Sequence, residues 1–170
     1  NTLIKRLICS KKALNDYHSI IPDLPEHGQS KDLKQFNIIG AADKLILLIK
    51  DRTHDGKAHL VGMSMGAQII LEILNKAPEV ADHVLISGAL INSNPQDETF
   101  LKLLNYMIGK YIPAKNDNLS IGSYIRSYHM PRNYRKNYRE STRIIPQDTA
   151  ERIIRENILF EMPSNLASVD

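Results

Sequence analysis

The sequence predicts an α/β fold, in which a partial, doubly wound and mostly parallel sheet is followed by an all-helical block. Two observations predict the sheet. Short apolar runs alternate with helical patterns over residues 2–87, and a glycine-flanked turn at 62–66 joins a strand to a helix. The helical block is predicted because no strand pattern interrupts residues 95–162. A chain of 170 residues is long enough for one domain with its own core.

The first elements lie before the glycine-flanked turn. Residues 2–16 have the pattern of a helix, and His18–Pro22 have that of a short strand. A turn-rich segment at 23–30 follows this strand. Apolar residues then recur at helical spacing between charged ones, which predicts an amphipathic helix over 40–52.

A second strand, a helix and a third strand come next. The strand is predicted at 58–61 and the sharp turn at 62–66. The helix is predicted at 65–77, with Pro78 just beyond its end. Val84–Ser87 form a nearly continuous apolar run, which is typical of a strand covered on both faces.

Helical patterns fill the second half of the chain. One apolar stripe lies within residues 100–111 and another within 121–128. Asp148 and Glu151 have the spacing of a capping box, which predicts a third helix that ends before Pro163.

The composition restricts the class of protein. An apolar content of 42% is that of a globular chain, and a net charge of +3 selects no particular partner. The single cysteine, Cys9, excludes an internal disulfide and favours a reducing compartment, so we predict a cytoplasmic location. No apolar run approaches the roughly 18 residues that span a bilayer.

The residues that indicate chemistry are concentrated in Gly62-Met-Ser-Met-Gly66, which matches the Gly-x-Ser-x-Gly turn that exposes a nucleophilic serine. Ser64 is expected to adopt a strained backbone conformation, and side chains at 62 and 66 are expected to collide with the crossing strand and helix. The positive end of the following helix would face a developing oxyanion, and the Met65 N–H is the predicted first donor. The structural alternative is a glycine-rich turn with an incidental serine.

Three segments together resemble the α/β-hydrolase family. Residues 17–30 are similar to the strand and loop that this family commonly writes D-x-P-G-H-G-x-S. Residues 59–67 resemble its nucleophile elbow, and 78–88 continue the likeness in the same order. The resemblance covers about residues 12–90. Glu26 stands where the family usually has glycine, so we expect a differently shaped loop there.

The resemblance implies a serine hydrolase that acts on an ester or related acyl substrate through a Ser64 acyl-enzyme. It divides the chain into a core segment at 1–91, a helical cap at 92–165 over a small-molecule pocket, and the start of the remaining core at 166–170. In this family the triad acid and histidine follow the serine, and the resemblance places both beyond Asp170. The first strands would lie upstream of the chain. We therefore expect a fragment that is inactive by itself.

A catalytic base within the chain would have to be a histidine that follows the serine. His83 begins a strand and is expected at the edge opposite Ser64, whereas His129 could face the site from the helical block. For His129 we expect an interfacial or solvated role instead. His27 belongs to the loop motif, where a structural hydrogen bond is expected. The remaining histidines carry no supporting constellation: His18, His54 and His59.

Two other functions remain open from the sequence. One is a non-catalytic binding protein of the same fold, in which the elbow is an architectural feature. The other rests on arginines and tyrosines interleaved over 126–143, a pattern that can bind nucleic acid. Such a stretch is more often a solvated surface, so we do not expect nucleic-acid binding. No phosphate loop and no Cys/His/carboxylate set with metal-ligand spacing is found, so no cofactor or metal is predicted. The oligomeric state is left open.

Overall fold

A computed structural model describes residues 16–33, 36–91 and 146–168 as continuous segments. Six further residues are described singly, each of them helical and exposed: Lys102, Tyr106, Arg126, Arg132, Arg135 and Lys136. The helix predicted at 2–16 lies, except for its last residue, outside the described residues. The apolar members of the two predicted stripes also lie outside them.

The described segments alternate helices and strands, and the predicted α/β class is confirmed. The elements are α1 (Ile38–Arg52), β1 (Ala58–Met63), α2 (Met65–Lys76), β2 (Ala81–Ser87) and α3 (Gln147–Ile158). Short 3₁₀ turns lie at Gly28–Ser30, Pro78–Val80 and Ser164–Ser168. Within these segments we find no helix that is both long enough and apolar enough to cross a membrane.

The strand predicted at His18–Pro22 is wrong. Residues 18–24 have no regular secondary structure, because the described sheet consists of β1 and β2 and offers this segment no ladder partner. Tyr17, just before it, still lies beside β1, since its ring centroid is 5.6 Å from that of His59.

β1 and β2 pair in parallel, and α2 forms the crossover between them. Leu60 pairs with Val84, and Gly62 pairs with Ile86. This face of the sheet is turned toward α2, because a Cβ atom at Gly62 would lie 2.6 Å from Cδ1 of Ile70.

The opposite face of the sheet, which we call the open face, consists of His59, Val61 and Met63 of β1 and Leu85 of β2. Val61 and Met63 are each 77% exposed, and Leu85 is 65% exposed. The expectation that β2 is covered on both faces is therefore wrong in the described part of the chain. α2 packs against one face and leaves the other in contact with solvent.

The hydrophobic core lies between the three helices and the segments that join them. Its buried members are Phe36, Ile38, Ala41, Ala42, Ile49, Ile69, Leu71, Ile73, Ala77, Val80, Ile153 and Phe160. α3 and the nearby Phe160 therefore contribute to the same core as α1 and α2, although residues 92–145 lie between them in sequence.

The N-terminus of α1 is held by a side chain of α3. Asn37 caps the helix with its Oδ1 atom, which accepts a hydrogen bond from the Gly40 N–H at 2.6 Å. Oε1 of Glu156 accepts a second bond, from the Ile38 N–H at 3.0 Å. A carboxylate at this end of a helix also complements the helix dipole. These bonds fix α3 against the start of α1.

α3 begins in a different way from the one predicted. Its N-cap is Pro146, and no side chain caps it, so the capping box expected from Asp148 and Glu151 is wrong. The φ angle of Pro146 is −58°, close to the value that proline fixes and that a helix start accepts. The helix therefore starts at Gln147, before the residue expected to cap it, and Asp148 lies in its first turn.

Glu26 keeps the backbone conformation that favours glycine, with a φ angle of 65°. This conformation costs about 1 kcal/mol or more for a residue with a Cβ atom. Hydrogen bonds of the Glu26 side chain offset that cost. Oε2 of Glu26 accepts hydrogen bonds from the Phe36 N–H at 2.9 Å and from Arg152 Nη2 at 2.5 Å. Arg152 Nη1 donates in addition to the Phe36 carbonyl at 2.9 Å. The glutamate thus ties the loop to α3, which glycine could not do.

The Glu26–Arg152 pair predicts a loss of stability in acid. The hydrogen bond from Arg152 lowers the pKa of Glu26 below its ordinary value of 4.5. Since the folded state holds the lowered pKa, the contribution is complete above pH 4.5 and is lost as the pH falls through the folded value. Glu26→Gln should cost up to about 1 kcal/mol of unfolding free energy near neutral pH, and the difference from the parent should shrink in acid. Urea unfolding at a series of pH values measures this.

The matched control for that experiment is Glu79→Gln. Glu79 pairs with Lys50 at 3.4 Å, and both side chains are more than half exposed, so its substitution should leave the pH dependence of stability unchanged. If Glu26→Gln and Glu79→Gln gave parallel curves, the Arg152 bond would not stabilise the fold.

The open face predicts self-association of the chain. Val61→Lys or Leu85→Lys should raise the dissociation constant of the oligomers about tenfold or more, because a charge would have to be buried in the contact; tenfold corresponds to about 1.4 kcal/mol. Leu47→Lys is the control, since Leu47 is 67% exposed on α1, away from the sheet. Sedimentation equilibrium measures the effect. A parent chain that is monodisperse and monomeric at high concentration would contradict the prediction.

Candidate active site

Ser64 lies between the last residue of β1 and the first residue of α2. Its backbone has φ 53° and ψ −119°, so the predicted strained conformation is confirmed. Such a conformation costs about 1–3 kcal/mol for a residue other than glycine and persists only where neighbours enforce it. One enforcing contact is a hydrogen bond of 2.8 Å from the Ser64 N–H to the carbonyl of Ser87, the last residue of β2.

The hydroxyl of Ser64 does not cap the helix that it precedes. A serine at the N-cap usually accepts a hydrogen bond from the second or third N–H of the helix, but Ser64 makes no such side-chain bond. The Ser64 carbonyl begins the helix instead, because it accepts hydrogen bonds from the N–H groups of Ala67 at 2.9 Å and Gln68 at 3.2 Å. The residue is exposed, so its hydroxyl is presented to solvent at the start of α2.

The two glycines of the turn have different roles. A Cβ atom at Gly62 would lie 2.5 Å from the carbonyl oxygen of Gly66 and 2.7 Å from its carbon, so the predicted collision at 62 is confirmed. At Gly66 a Cβ atom would meet nothing within 4 Å, so the collision predicted there is wrong. The reason is directional: the backbone of Gly66 approaches β1, whereas its missing side chain would point away into open space.

The first turn of α2 offers unpaired donors beside Ser64. The first N–H groups of a helix have no intrahelical acceptor, and Met65 is the first residue of α2. The partial positive charge of the helix dipole is concentrated at the same end. The predicted oxyanion donor, the Met65 N–H, is thus adjacent in sequence to the exposed hydroxyl.

Gln68 anchors the first turn of α2 from the buried side, and the sequence did not single it out. Its side chain is fully buried, and Nε2 donates to the carbonyls of Leu90 and Asn157, each at 2.6 Å. Asn157 Nδ2 donates back to Oε1 of Gln68 at 2.6 Å. A polar residue within the otherwise apolar run Ala67–Leu71, four positions after Ser64, was the available signal. Because the buried amide of Gln68 is paired with the half-buried side chain of Asn157, it fixes α2 against α3.

Polar residues of the loop at 23–30 form hydrogen bonds within the loop and stabilise its conformation. Nδ1 of His27 donates to the Pro25 carbonyl at 2.9 Å, which is the structural hydrogen bond expected for this histidine. Asp23 accepts a bond from the Gln29 N–H at 2.9 Å, and its carboxylate lies 2.5 Å from where a Cβ of Gly28 would be. With φ at 50°, Gly28 is needed for both its conformation and its size.

The described residues bring no base to Ser64. Among them, no imidazole or carboxylate forms a hydrogen bond with its hydroxyl. His83 lies toward the N-terminal end of β2, whereas the elbow follows the C-terminal end of β1, so the predicted separation is confirmed. His129 lies outside the described residues.

A second group of side chains meets at the N-terminal edge of the sheet. Oδ2 of Asp82 lies 3.1 Å from Nδ1 of His59 and 3.2 Å from Nδ1 of His83. The sequence missed this group because 22 residues separate His59 from Asp82, and only the strand register brings them together.

Comparison with known proteins identifies the family of the chain. A family model described as the alpha/beta hydrolase fold matches residues 7–149, well over half of the chain. An AB hydrolase superfamily protein of Gibberella zeae is 36% identical over 76 residues, which are 45% of this chain and 27% of that protein.

Two further relatives have other names. A putative 2-succinyl-6-hydroxy-2,4-cyclohexadiene-1-carboxylate synthase of Haemophilus influenzae is 41% identical over 58 residues, 34% of this chain and 24% of that protein. The dihydrolipoyllysine-residue acetyltransferase component of an acetoin cleaving system of Pseudomonas putida is 37% identical over 68 residues, 39% of this chain and 18% of that protein. The chain thus spans about a quarter or less of these relatives. No solved structure matches it significantly.

The asymmetry of the two glycines predicts opposite effects of one methyl group. Gly62→Ala should destabilise the chain by about 2 kcal/mol or more, because the new Cβ would overlap the Gly66 backbone. Gly66→Ala should leave stability unchanged or raise it by up to about 1 kcal/mol, since alanine favours a helix over glycine. Urea unfolding in dilute solution compares the pair. Equal losses for both variants would contradict the close approach at 62.

Proposed function

Because the chain belongs to the alpha/beta hydrolase fold family, we propose that it is a serine hydrolase. In this proposal it acts on a small ester or related acyl compound through an acyl-enzyme at Ser64. The observation that carries the proposal is the backbone of Ser64, which is strained while its hydroxyl takes no structural role.

The strain argues for a reactive serine over an incidental one. Glycine would adopt a φ of 53° without the cost of about 1–3 kcal/mol, so a purely architectural turn gains nothing from a side chain at this position. A serine that capped α2 would repay part of that cost, but Ser64 makes no capping bond. The conformation therefore serves to present the hydroxyl.

The proposed reaction uses the two groups at the start of α2. Oγ of Ser64 attacks the carbonyl carbon of the substrate while a base removes the hydroxyl proton. The Met65 N–H donates to the oxyanion that forms, and the helix dipole stabilises the same charge. Collapse of the intermediate expels the alcohol, which takes up the proton, and water then cleaves the acyl-Ser64 ester. We assign the base, a histidine, to a position outside the described residues.

Family membership by itself does not select the reaction. The relatives include one named as a synthase and one named as an acetyltransferase component, and one fold commonly hosts several chemistries. What favours acyl hydrolysis is the exposed serine at a helix N-terminus. In the same proposal residues 92–165 form a helical cap over the pocket, and Cys9, the single cysteine, favours a cytoplasmic location.

The proposal predicts covalent labelling by a fluorophosphonate probe at Ser64. Labelling is expected for the longest gene product that contains this chain, should be abolished by Ser64→Ala, and should be much weaker in the 170-residue chain. Intact-mass and peptide mass spectrometry locate the adduct. The weaker reaction is expected because a serine without its base loses several orders of magnitude in rate.

The matched control is Ser87→Ala. The hydrogen bond from the Ser64 N–H to Ser87 uses the backbone carbonyl of Ser87, and the substitution keeps that carbonyl, so labelling should persist. If a folded gene product stayed unlabelled at Ser64, the serine would be architectural, and a non-catalytic binding protein of this fold would replace the proposal.

A further inference from the structure

We propose that His59, Asp82 and His83 bind a divalent transition-metal ion at the edge of the sheet opposite Ser64. The three side chains form a group whose potential ligand atoms all lie within 4.8 Å of one another. Nothing in the proposed acyl chemistry uses them, and the proposal stands whether or not Ser64 is a nucleophile.

The distances within the group are close to those between ligands of one ion. Asp82 Oδ2 is 3.1 Å from Nδ1 of His59 and 3.2 Å from Nδ1 of His83. Around a tetrahedral zinc ion with ligands at about 2.0–2.1 Å, neighbouring ligand atoms are about 3.4 Å apart. Small side-chain rotations would therefore admit the ion between the carboxylate and the two imidazoles. The rings of His59 and His83 are already close, with centroids 5.0 Å apart and an interplanar angle of 64°.

An irregularity in the sheet creates this arrangement. Ala58 pairs with Ala81 and Leu60 with Val84, so a single residue of β1, His59, faces two residues of β2. In a regular strand, successive side chains point to opposite faces, and Asp82 and His83 could not both approach His59. The bulge gives β2 one extra residue at this point, and bulges commonly redirect a side chain in this way.

The donor set selects the class of ion. Two imidazole nitrogens and one carboxylate oxygen suit zinc and neighbouring transition metals, whereas magnesium and calcium prefer oxygen ligands alone. All three residues are exposed, so water can complete the coordination. Each neutral imidazole that binds through Nδ1 carries its proton on Nε2, and Asp82 then contacts the ion instead of the two Nδ1–H groups.

The location gives the ion a structural role, because it lies too far from Ser64 to take part in catalysis there. His59 precedes Ser64 by five residues, which along an extended strand amounts to about 16 Å. An ion bound here would join the N-terminal ends of β1 and β2. It would lie next to Tyr17, whose ring packs edge-on against His59. Binding to the folded chain should raise its thermal stability through linkage.

The test is a zinc titration of the untagged chain in competition with a chromophoric chelator, followed by cobalt(II) absorption spectroscopy. We expect one zinc ion per chain and a cobalt(II) absorption spectrum typical of an ion with four or five ligands. Zinc, but not magnesium, should raise the unfolding temperature. His59→Gln, Asp82→Asn and His83→Gln should each weaken zinc binding about tenfold or more. His54→Gln, at another exposed histidine outside the group, is the matched control and should bind as the parent does.

His83→Gln is the decisive variant. The His83 side chain is 81% exposed, so its replacement does not disturb the fold, and far-UV circular dichroism verifies this. Zinc affinity unchanged in any of the three ligand variants would overturn the proposed site, as would a parent chain that binds no zinc at a one-to-one ratio. Loss of binding in His83→Gln with the fold intact, together with parent-like binding in His54→Gln, supports it.

Discussion

The close approach of α2 to β1 at Gly62 is the contact on which the geometry of the site depends. The carbonyl of Gly66 occupies the space that any Cβ atom at 62 would need, only 2.5 Å away. At this separation the chain has to leave the strand and enter the helix within a single residue, Ser64, and a φ of 53° is the result. The bond from the Ser64 N–H to the Ser87 carbonyl fixes the turn to the sheet, and buried Gln68 fixes it from the other side.

Two residues other than glycine have positive φ among those described, and the comparison between them is informative. Glu26 offsets its strain through its own side chain, which binds Arg152 and the Phe36 N–H. Ser64 makes no comparable side-chain bond, and the surrounding backbone bears the cost. Strain that a side chain compensates is explained by structure. Strain that leaves a hydroxyl free at a helix N-terminus is what a nucleophile requires, which is why the proposed function rests on Ser64.

The parallel pairing of β1 and β2 separates two kinds of chemistry. The C-terminal edge carries the elbow, because the chain passes from strand to helix there and the first N–H groups of α2 are unpaired. The N-terminal edge carries His59, Asp82 and His83, because the bulge places two residues of β2 beside one of β1. The same sheet also exposes Val61 and Leu85 on its open face, which is the surface predicted to mediate self-association.

The sequence by itself determined the features that depend on neighbours along the chain. Helical spacing predicted α1 and α2, and the glycine-flanked serine predicted the strained turn, because periodicity and backbone sterics act over a few residues. Tertiary structure decided the rest. It denied His18–Pro22 a ladder partner, left β2 exposed, and paired Glu26 with an arginine 126 positions away. It also joined His59 to Asp82 and His83. Each of these depends on which distant segments pack together and in what register, and no local pattern encodes that choice.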